Sequence, residues 1–268
     1  HKFLTIQGWK RLDEIVEGER IALPRSLPSP TQSTMSKDEL ALLGHLIGDG
    51  CTLPRHIIQY TTNDETLAEE VTRLAINVFG NQIVPRTQKE RKWYQVYLVA
   101  STRLTHNKRN PIAEWLDKLG IFGLRSHEKY IPSVVFAQPA ESIAIFLRHL
   151  WSTDGCIHMS SGTDHYPTIY YASSSEILVR QVQSLLLRLG INATLARHSQ
   201  GSKGRDQYHA VVSGKAEMEM FFAQVGGLGE KKKLHQIAII DYLAQRLSKT
   251  NRDVIPYGVW DNLEAVTM

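Results

Sequence analysis

The chain has 268 residues, a formal net charge of +4 at pH 7, a pI near 9.0 and 42% apolar residues. That is enough chain for one large core or two repeats, and the mild cationic bias permits a nucleic-acid partner without requiring one. Two cysteines exclude a disulfide framework; with no secretory signal and no apolar run of spanning length, a cytoplasmic protein of a prokaryotic cell is expected, with no membrane contact.

Residues 1–30 read as short strands and turns, beginning "HKFLTIQGWKRLDEIVEGERIALPR". The Ser- and Pro-rich "SLPSPTQSTMSKDEL" reads as a linker. Within it Ser36 and Glu39 have capping-box spacing and should start a helix. That helix is "LLGHLIGDG", an apolar run ending in Asp49 and Gly50, with Gly44 and Gly48 one turn apart on one face. A turn leads to the strand "HIIQYTT", the helix "DETLAEEVTRLAINVFG", the strand pair "NQIVPRTQ" and "KWYQVYLVAS", and the short helix "NPIAEWLDKLG".

The same order then recurs. "LRHLWSTDG" ends in Asp154 and Gly155, with Pro139 suited to the first turn of its helix. "TIYYASS" is the strand, "SEILVRQVQSLLLRLG" the helix, "NATLARHS" and "DQYHAVVSG" the next strands, and "AEMEMFFAQVGG" a helix. Each motif ends in Asp-Gly-Cys (Cys51, Cys156), and Tyr60 and Gly80 correspond to Tyr171 and Gly190. The reading is an α+β, duplicated αββαββα fold: residues 37–132 and 138–240 form the repeats, 1–30 a separate β-rich segment, and 241–268 a helix and tail. If the two motif helices pack side by side in parallel, Asp49 and Asp154 arrive at one spot, where two acids need a cation between them.

The repeated motif resembles the paired LAGLIDADG motif of homing endonucleases, and residues 1–30 resemble the end of an intein's N-terminal splicing region, similar to segments in inteins of replicative helicases. This resemblance implies two pseudo-symmetric subdomains with concave antiparallel sheets, in a monomer bound to a long, nearly asymmetric double-stranded DNA site. It implies Mg²⁺-dependent cutting of both strands, with Mg²⁺ held by Asp49, Asp154 and the carbonyls of Gly48 and Thr153; Mn²⁺ would substitute and Ca²⁺ would support binding without cleavage. A lysine beside each acid is implied as well: Lys129 in "EKYIP", and Lys232 or Lys233 through the loose match of "GGLGEKKKLHQ" to "FGLRSHEKYIP". His1 would be a splicing remnant, although the nucleophile that begins an intein and the His-Asn that ends one are both missing.

DNA contacts are expected from Arg55, Gln59, Arg86, Gln88, Lys89, Arg91 and Lys92 in the first repeat, and from Arg197, His198, Lys203, Arg205 and Gln207 in the second. Trp93 and Tyr97 suit packing or stacking. His149 stands where the second motif should be small, so a looser helix pair is expected there; His45 corresponds to Leu150, and the two histidines read as separate packed polar groups. Cys51, Cys156 and His158 lack the spacing of a soft-metal site. Two rivals to cleavage stay open: a DNA-binding or splicing-helper protein of the same fold, and a protein-splicing element.

Overall fold

The computed structural model describes residues 1–22, 24, 27–105, 108–161 and 166–247, with the side chain of residue 203 left out. A hairpin comes first: β1 (Lys2–Thr5) pairs antiparallel with β2 (Gly8–Arg11), and Gly8 takes φ +102° where the chain reverses. Its apolar side chains are largely uncovered, with Trp9 66% exposed.

Helix α1 (Lys37–Gly48) begins at the anticipated capping box. The Glu39 amide donates to Ser36 Oγ at 3.2 Å, and the Ser36 amide donates to the Glu39 carboxylate at 2.7 Å. Residues 40–47 are buried on every side, as an all-round apolar helix requires. The first sheet comprises β3 (Gly50–Cys51), β4 (Gln59–Thr62), β5 (Ile83–Lys89) and β6 (Tyr94–Ala100) in the antiparallel order β3-β4-β6-β5. Pro85 falls in β5 at the edge of the sheet, where a missing N–H costs no ladder bond. Helix α2 (Glu65–Phe79) joins β4 to β5, and α3 (Pro111–Lys118) and the short α4 (Ser133–Phe136) follow.

Helix α5 (Ala140–Asp154) opens the second repeat, with Pro139 as its N-cap, one position before the first turn. The second sheet is β7 (Gly155–Met159), β8 (Pro167–Ser173), β9 (Ala193–His198) and β10 (Gln207–Val212), ordered β7-β8-β10-β9. Helix α6 (Glu176–Arg188) joins β8 to β9, and α7 (Lys215–Gln224) and α8 (Glu230–Ala244) close the described chain. The duplication holds to the residue: Gly50 pairs with Tyr60 in one sheet and Gly155 with Tyr171 in the other. The α+β fold of two antiparallel-sheet subdomains is LAGLIDADG-like. Strands β3 and β7 were read as turns in the sequence, because both begin inside the Asp-Gly motif itself.

The two motif helices pack in parallel and very closely. A Cβ on Gly44 would lie 2.8 Å from both the Leu150 amide nitrogen and the Phe146 carbonyl oxygen, and one on Gly48 would overlap the Thr153 side chain. His149 does not hold the helices apart as expected; its ring turns across the interface instead. Gly50 and Gly155 follow the ends of the motif helices, and neither takes a left-handed conformation. A Cβ on Gly50 would strike the Leu46 backbone and one on Gly155 the Trp151 side chain, so each glycine is there for space.

Pseudo-symmetry breaks at one buried place. His45 Nδ1 meets the Tyr60 hydroxyl at 3.2 Å, and His45 Nε2 meets His149 Nδ1 at 3.0 Å, a polar chain that crosses the helix pair. The two histidines therefore form one network, where separate packed groups were expected. Leu150 replaces His45 in the second repeat, and the buried Tyr171 hydroxyl has no hydrogen-bond partner among the described residues.

Substitutions on both sides of the seam test this packing. Gly44→Ala should cost about 2 kcal/mol in urea unfolding, because backbone atoms must move apart, while Gly204→Ala, with open space around it, should change stability by less than about 0.5 kcal/mol. Tyr60→Phe should destabilise by about 1–2 kcal/mol by orphaning His45, whereas Tyr171→Phe should be neutral or stabilising; equal losses in both would refute the asymmetry.

Candidate functional site

Asp49 caps the C-terminus of α1 and Asp154 is the last residue of α5, so the close parallel pair sets both carboxylates at the seam between the sheets. Burial, followed by the charge of Asp154, raises the Asp49 pKa to about 7. Asp154 keeps an exposed edge but is crowded by protein, and its pKa is also raised, against the pull of Lys129 and Lys232. The two acids share one environment and titrate as a pair.

Two clefts open on the pair, one from each side. The larger, about 550 Å³, is lined by Asp49, Asp154, Thr61, Asp64, Trp93 and Lys232 among others. The smaller, about 250 Å³, includes Asp49, Asp154, Lys129, Ser173 and Gln207. Each cleft thus has the end of one repeat's second strand and lysine beside the acids, Lys231 and Lys232 in the larger and Lys129 in the smaller.

The lysines are held by the ends of the motif helices. Lys129 is 8% exposed and donates to the carbonyls of Gly48 and Gly50, each at 2.9 Å, and of Leu46 at 3.3 Å. Lys232, on the first turn of α8, donates to the carbonyls of Ser152 at 2.6 Å and Thr153 at 3.0 Å. Burial lowers both pKa values, that of Lys232 to about 8, while the two aspartates oppose the shift. Of the two lysines expected beside Asp154, Lys232 turns inward and Lys233 is exposed. The Gly48 and Thr153 carbonyls, expected to help hold a metal, accept from the ammonium groups of Lys129 and Lys232. Among the described residues no three His, Cys, Asp or Glu side chains converge, so the donors at the seam are the two carboxylates. Such an oxygen-only set suits a hard cation of the Mg²⁺, Mn²⁺ or Ca²⁺ type, and its carboxylates repel each other without one.

Strand register sorts the expected DNA contacts by face. On the first sheet Tyr60, Val96 and Leu98 point into the core, so the alternate residues Gln59, Gln95, Tyr97, Arg86 and Gln88 line the open face. Lys89 does not join them; it lies over the Tyr94 ring on the helix side. Arg91 and Lys92 sit exposed in the hairpin turn, and Arg55 sits in an exposed turn at φ +66°. On the second sheet Gln207 and His198 share the open face with Tyr170 and His209. Arg197 is on the opposite face, paired with Asp206, and Arg205 is exposed in the turn. The side chain of Lys203 lies outside the described residues. Gln95, Tyr170 and His209 were not in the sequence reading; alternation from Tyr171 along β8 reaches Tyr170, whereas Gln95 and His209 need the register of β6 and β10. His1 is exposed and precedes β1.

Comparison with known proteins bears on this geometry. Residues 141–226 match a LAGLIDADG-like domain, which is the second repeat. A replicative DNA helicase DnaB of Synechocystis sp. is 57% identical over 260 residues, covering 97% of this chain and 30% of the helicase. A replicative DNA helicase DnaB of Rhodothermus marinus is 54% identical over 263 residues, 98% of this chain and 28% of that protein. The chain therefore spans under a third of the length of these relatives. A solved structure of mesophilic variants of the homing endonuclease I-DmoI overlaps with a TM-score of 0.48 at 13% identity, covering 70% of this chain and 95% of that one.

These findings correct the sequence reading. An intein-encoded homing endonuclease with Mg²⁺-dependent site-specific cleavage was expected, but the relatives matched over nearly the whole chain carry the name of a replicative helicase. The same relatives give no support to the splicing role read from His1. No described helix is long and apolar enough to cross a membrane.

The raised Asp49 pKa gives a pH signature. Between about pH 4 and about pH 7 the folded chain holds a proton on Asp49 that the unfolded chain has lost, so stability falls as pH rises through that window. Asp49→Asn should flatten this slope and, with its partial exposure discounted, gain about 1–2 kcal/mol above pH 7 in the absence of divalent ions. Unchanged pH dependence in chemical denaturation would contradict the assigned environment.

Proposed function

We propose that this chain is a double-stranded DNA-binding module of LAGLIDADG-like fold, contained in a larger protein of the replicative-helicase type and working without strand cleavage. The observation that carries this reading is the pair of matched open sheet faces, one on each side of the acid pair. One is lined by Gln59, Gln95, Arg86 and Gln88, the other by Tyr170, Gln207, His209 and His198. Arg and Gln side chains in this setting pair with guanine and adenine edges, while exposed Arg91, Lys92 and Arg205 at the hairpin turns meet phosphates. Residues 37–132 and 138–240 would each cover half of a long, nearly asymmetric site as one monomer, with the segments 1–30 and 241–268 outside the DNA-facing halves.

A duplex lying across both sheets brings its phosphates towards Asp49 and Asp154, where like charges repel. A divalent cation held by these two carboxylates would remove that repulsion, so Mg²⁺, Mn²⁺ or Ca²⁺ should each strengthen binding. Lys129 and Lys232 would keep the helix ends in place beneath it. Cation binding requires ionised carboxylates, so the effect should fade as pH falls below about 7, where Asp49 takes up its proton.

Fluorescence anisotropy on mixed-sequence duplexes tests this. Binding should weaken roughly 100-fold between about 50 and about 200 mM salt, as for a few released counterions, and should tighten on addition of Ca²⁺. Asp49→Asn should bind DNA in EDTA better than the wild-type chain does and respond less to Ca²⁺. Absence of salt-sensitive binding would refute the module. Discrete cuts in Mg²⁺ that vanish in Asp49→Asn would overturn the binding-only reading.

A further inference from the structure

The two open faces differ in one chemically specific way. On the second sheet Tyr170, His209 and His198 form a diagonal row across β8, β10 and β9. The Tyr170 and His209 rings stack at 4.4 Å between centroids with an interplanar angle of 2°, and His198 lies 4.2 Å from His209. The residues directly across from His209 are Ala172 and Ala196, which leave its ring room to stand up from the sheet. Matching the registers through Tyr60 and Tyr171 assigns the counterparts in the first sheet as Gln59, Gln95 and Glu90. The first half-site thus presents two amides and a carboxylate where the second presents a phenol and two imidazoles.

We infer that the Tyr170–His209–His198 row is a proton-linked DNA contact belonging to the second half alone: on binding, His209 or His198 takes a proton from solvent and, as a two-donor cation, holds an acceptor oxygen of the duplex. That acceptor is a phosphate oxygen or the O6/N7 edge of guanine, since both accept from a cationic N–H pair. The inference rests on the DNA-binding reading above.

Its surroundings favour such a device. Among the described residues, the strand groups on the same face are Tyr170 of β8, His198 of β9, Gln207 of β10, and Cys156 and His158 of β7, none of them a carboxylate; the charged groups Asp49, Asp154 and Lys129 lie at the far end, in the cleft they share with Gln207. Arg197 and Asp206 neutralise each other, with Arg197 on the opposite face. Of the helices, α8 reaches this side at β7, where the His235 ring lies 4.5 Å from His158. In free protein partial burial and the neighbouring His198 hold the His209 pKa below its usual 6.5, so the ring is neutral at rest. A nearby phosphate reverses that balance. The tyrosine ring stacked on His209 adds a favourable interaction when the imidazole becomes cationic.

The test compares wild-type chain with His209→Gln, His198→Gln and the first-sheet control Gln95→Ala on one mixed-sequence duplex. Asp49 also titrates in this range, so the informative quantity is the difference between variants, and all are measured in EDTA. Between about pH 8 and about pH 5.5 the wild-type chain and Gln95→Ala should tighten about tenfold more than either histidine variant, which corresponds to a histidine pKa higher by about 1 in the complex. If the acceptor is phosphate, the salt slope at low pH should drop by about one in the histidine variants; if it is guanine, replacing G·C by A·T in that half-site should remove the pH gain and leave the slope unchanged. The NMR-observed pKa of His209 should accordingly rise by about 1 on adding DNA. A full pH gain in both histidine variants, or an unchanged His209 titration, would overturn the proton link while leaving the binding module standing. No binding by any variant at any pH would remove both.

Discussion

Everything in this molecule hangs on how near two helix backbones can come. At Gly44 and Gly48 the seam between α1 and α5 has no Cβ on one side, so α5 backbone and the Thr153 side chain fill the space directly. Dispersion falls steeply with separation, so contact at this range is worth more per atom than a looser seam. The closeness also fixes where the helices end. Because Asp49 and Asp154 sit at those ends, the separation of the two carboxylates is an outcome of backbone packing, with little left to side-chain choice.

The acids so placed are in an environment that works against their charge. Burial pushes both carboxylates towards the neutral form, with the charge of Asp154 adding to the effect on Asp49, while Lys129 and Lys232 pull them back towards ionisation. Each lysine is itself depressed by burial and retained by carbonyls at a helix end, where the partial negative charge of the last turn suits an ammonium. The arrangement is close to charge balance, with two cations and two anions whose charged states are all disfavoured by burial and favoured by one another's opposite charge. Small changes in proton or cation supply should therefore redistribute charge at the seam without moving the fold.

Much of this was legible in the chain. The capping box at Ser36, the motif helices, the order of elements in each repeat, and the correspondence of Tyr60 with Tyr171 all follow from periodicity and duplication. Two kinds of feature were not. The face of a strand residue depends on register, and a shift of one position reverses it; hence Lys89 and Arg197, chosen for charge, point away from the open face, whereas His209 and Gln95 point into it. The pairing of His45 with His149 was hidden for a related reason. The two are out of step in the aligned repeats, and only the stagger of the packed helices brings their rings to 3.0 Å. The wider role was misread because a shared motif carries the fold, while the activity of a protein built on it is decided by the whole site and its setting.

The buried chain of Tyr60, His45 and His149 has a consequence for how the duplication could have arisen and persisted. Two identical halves could exchange partners freely, each serving as the other's mate. Here the first half supplies a histidine whose Nε2 takes its hydrogen-bond partner from the second, and the second carries a leucine where the first has that histidine. Pairing two copies of the first half would set glycine where His149 now stands and leave Nε2 of both His45 rings unanswered in the interior, with only the Tyr60 contact kept. Pairing two copies of the second would remove the network and crowd the seam with two His149 side chains. Each half has thus become complementary to the other and to nothing else, so the covalent link between them joins two parts that are no longer interchangeable.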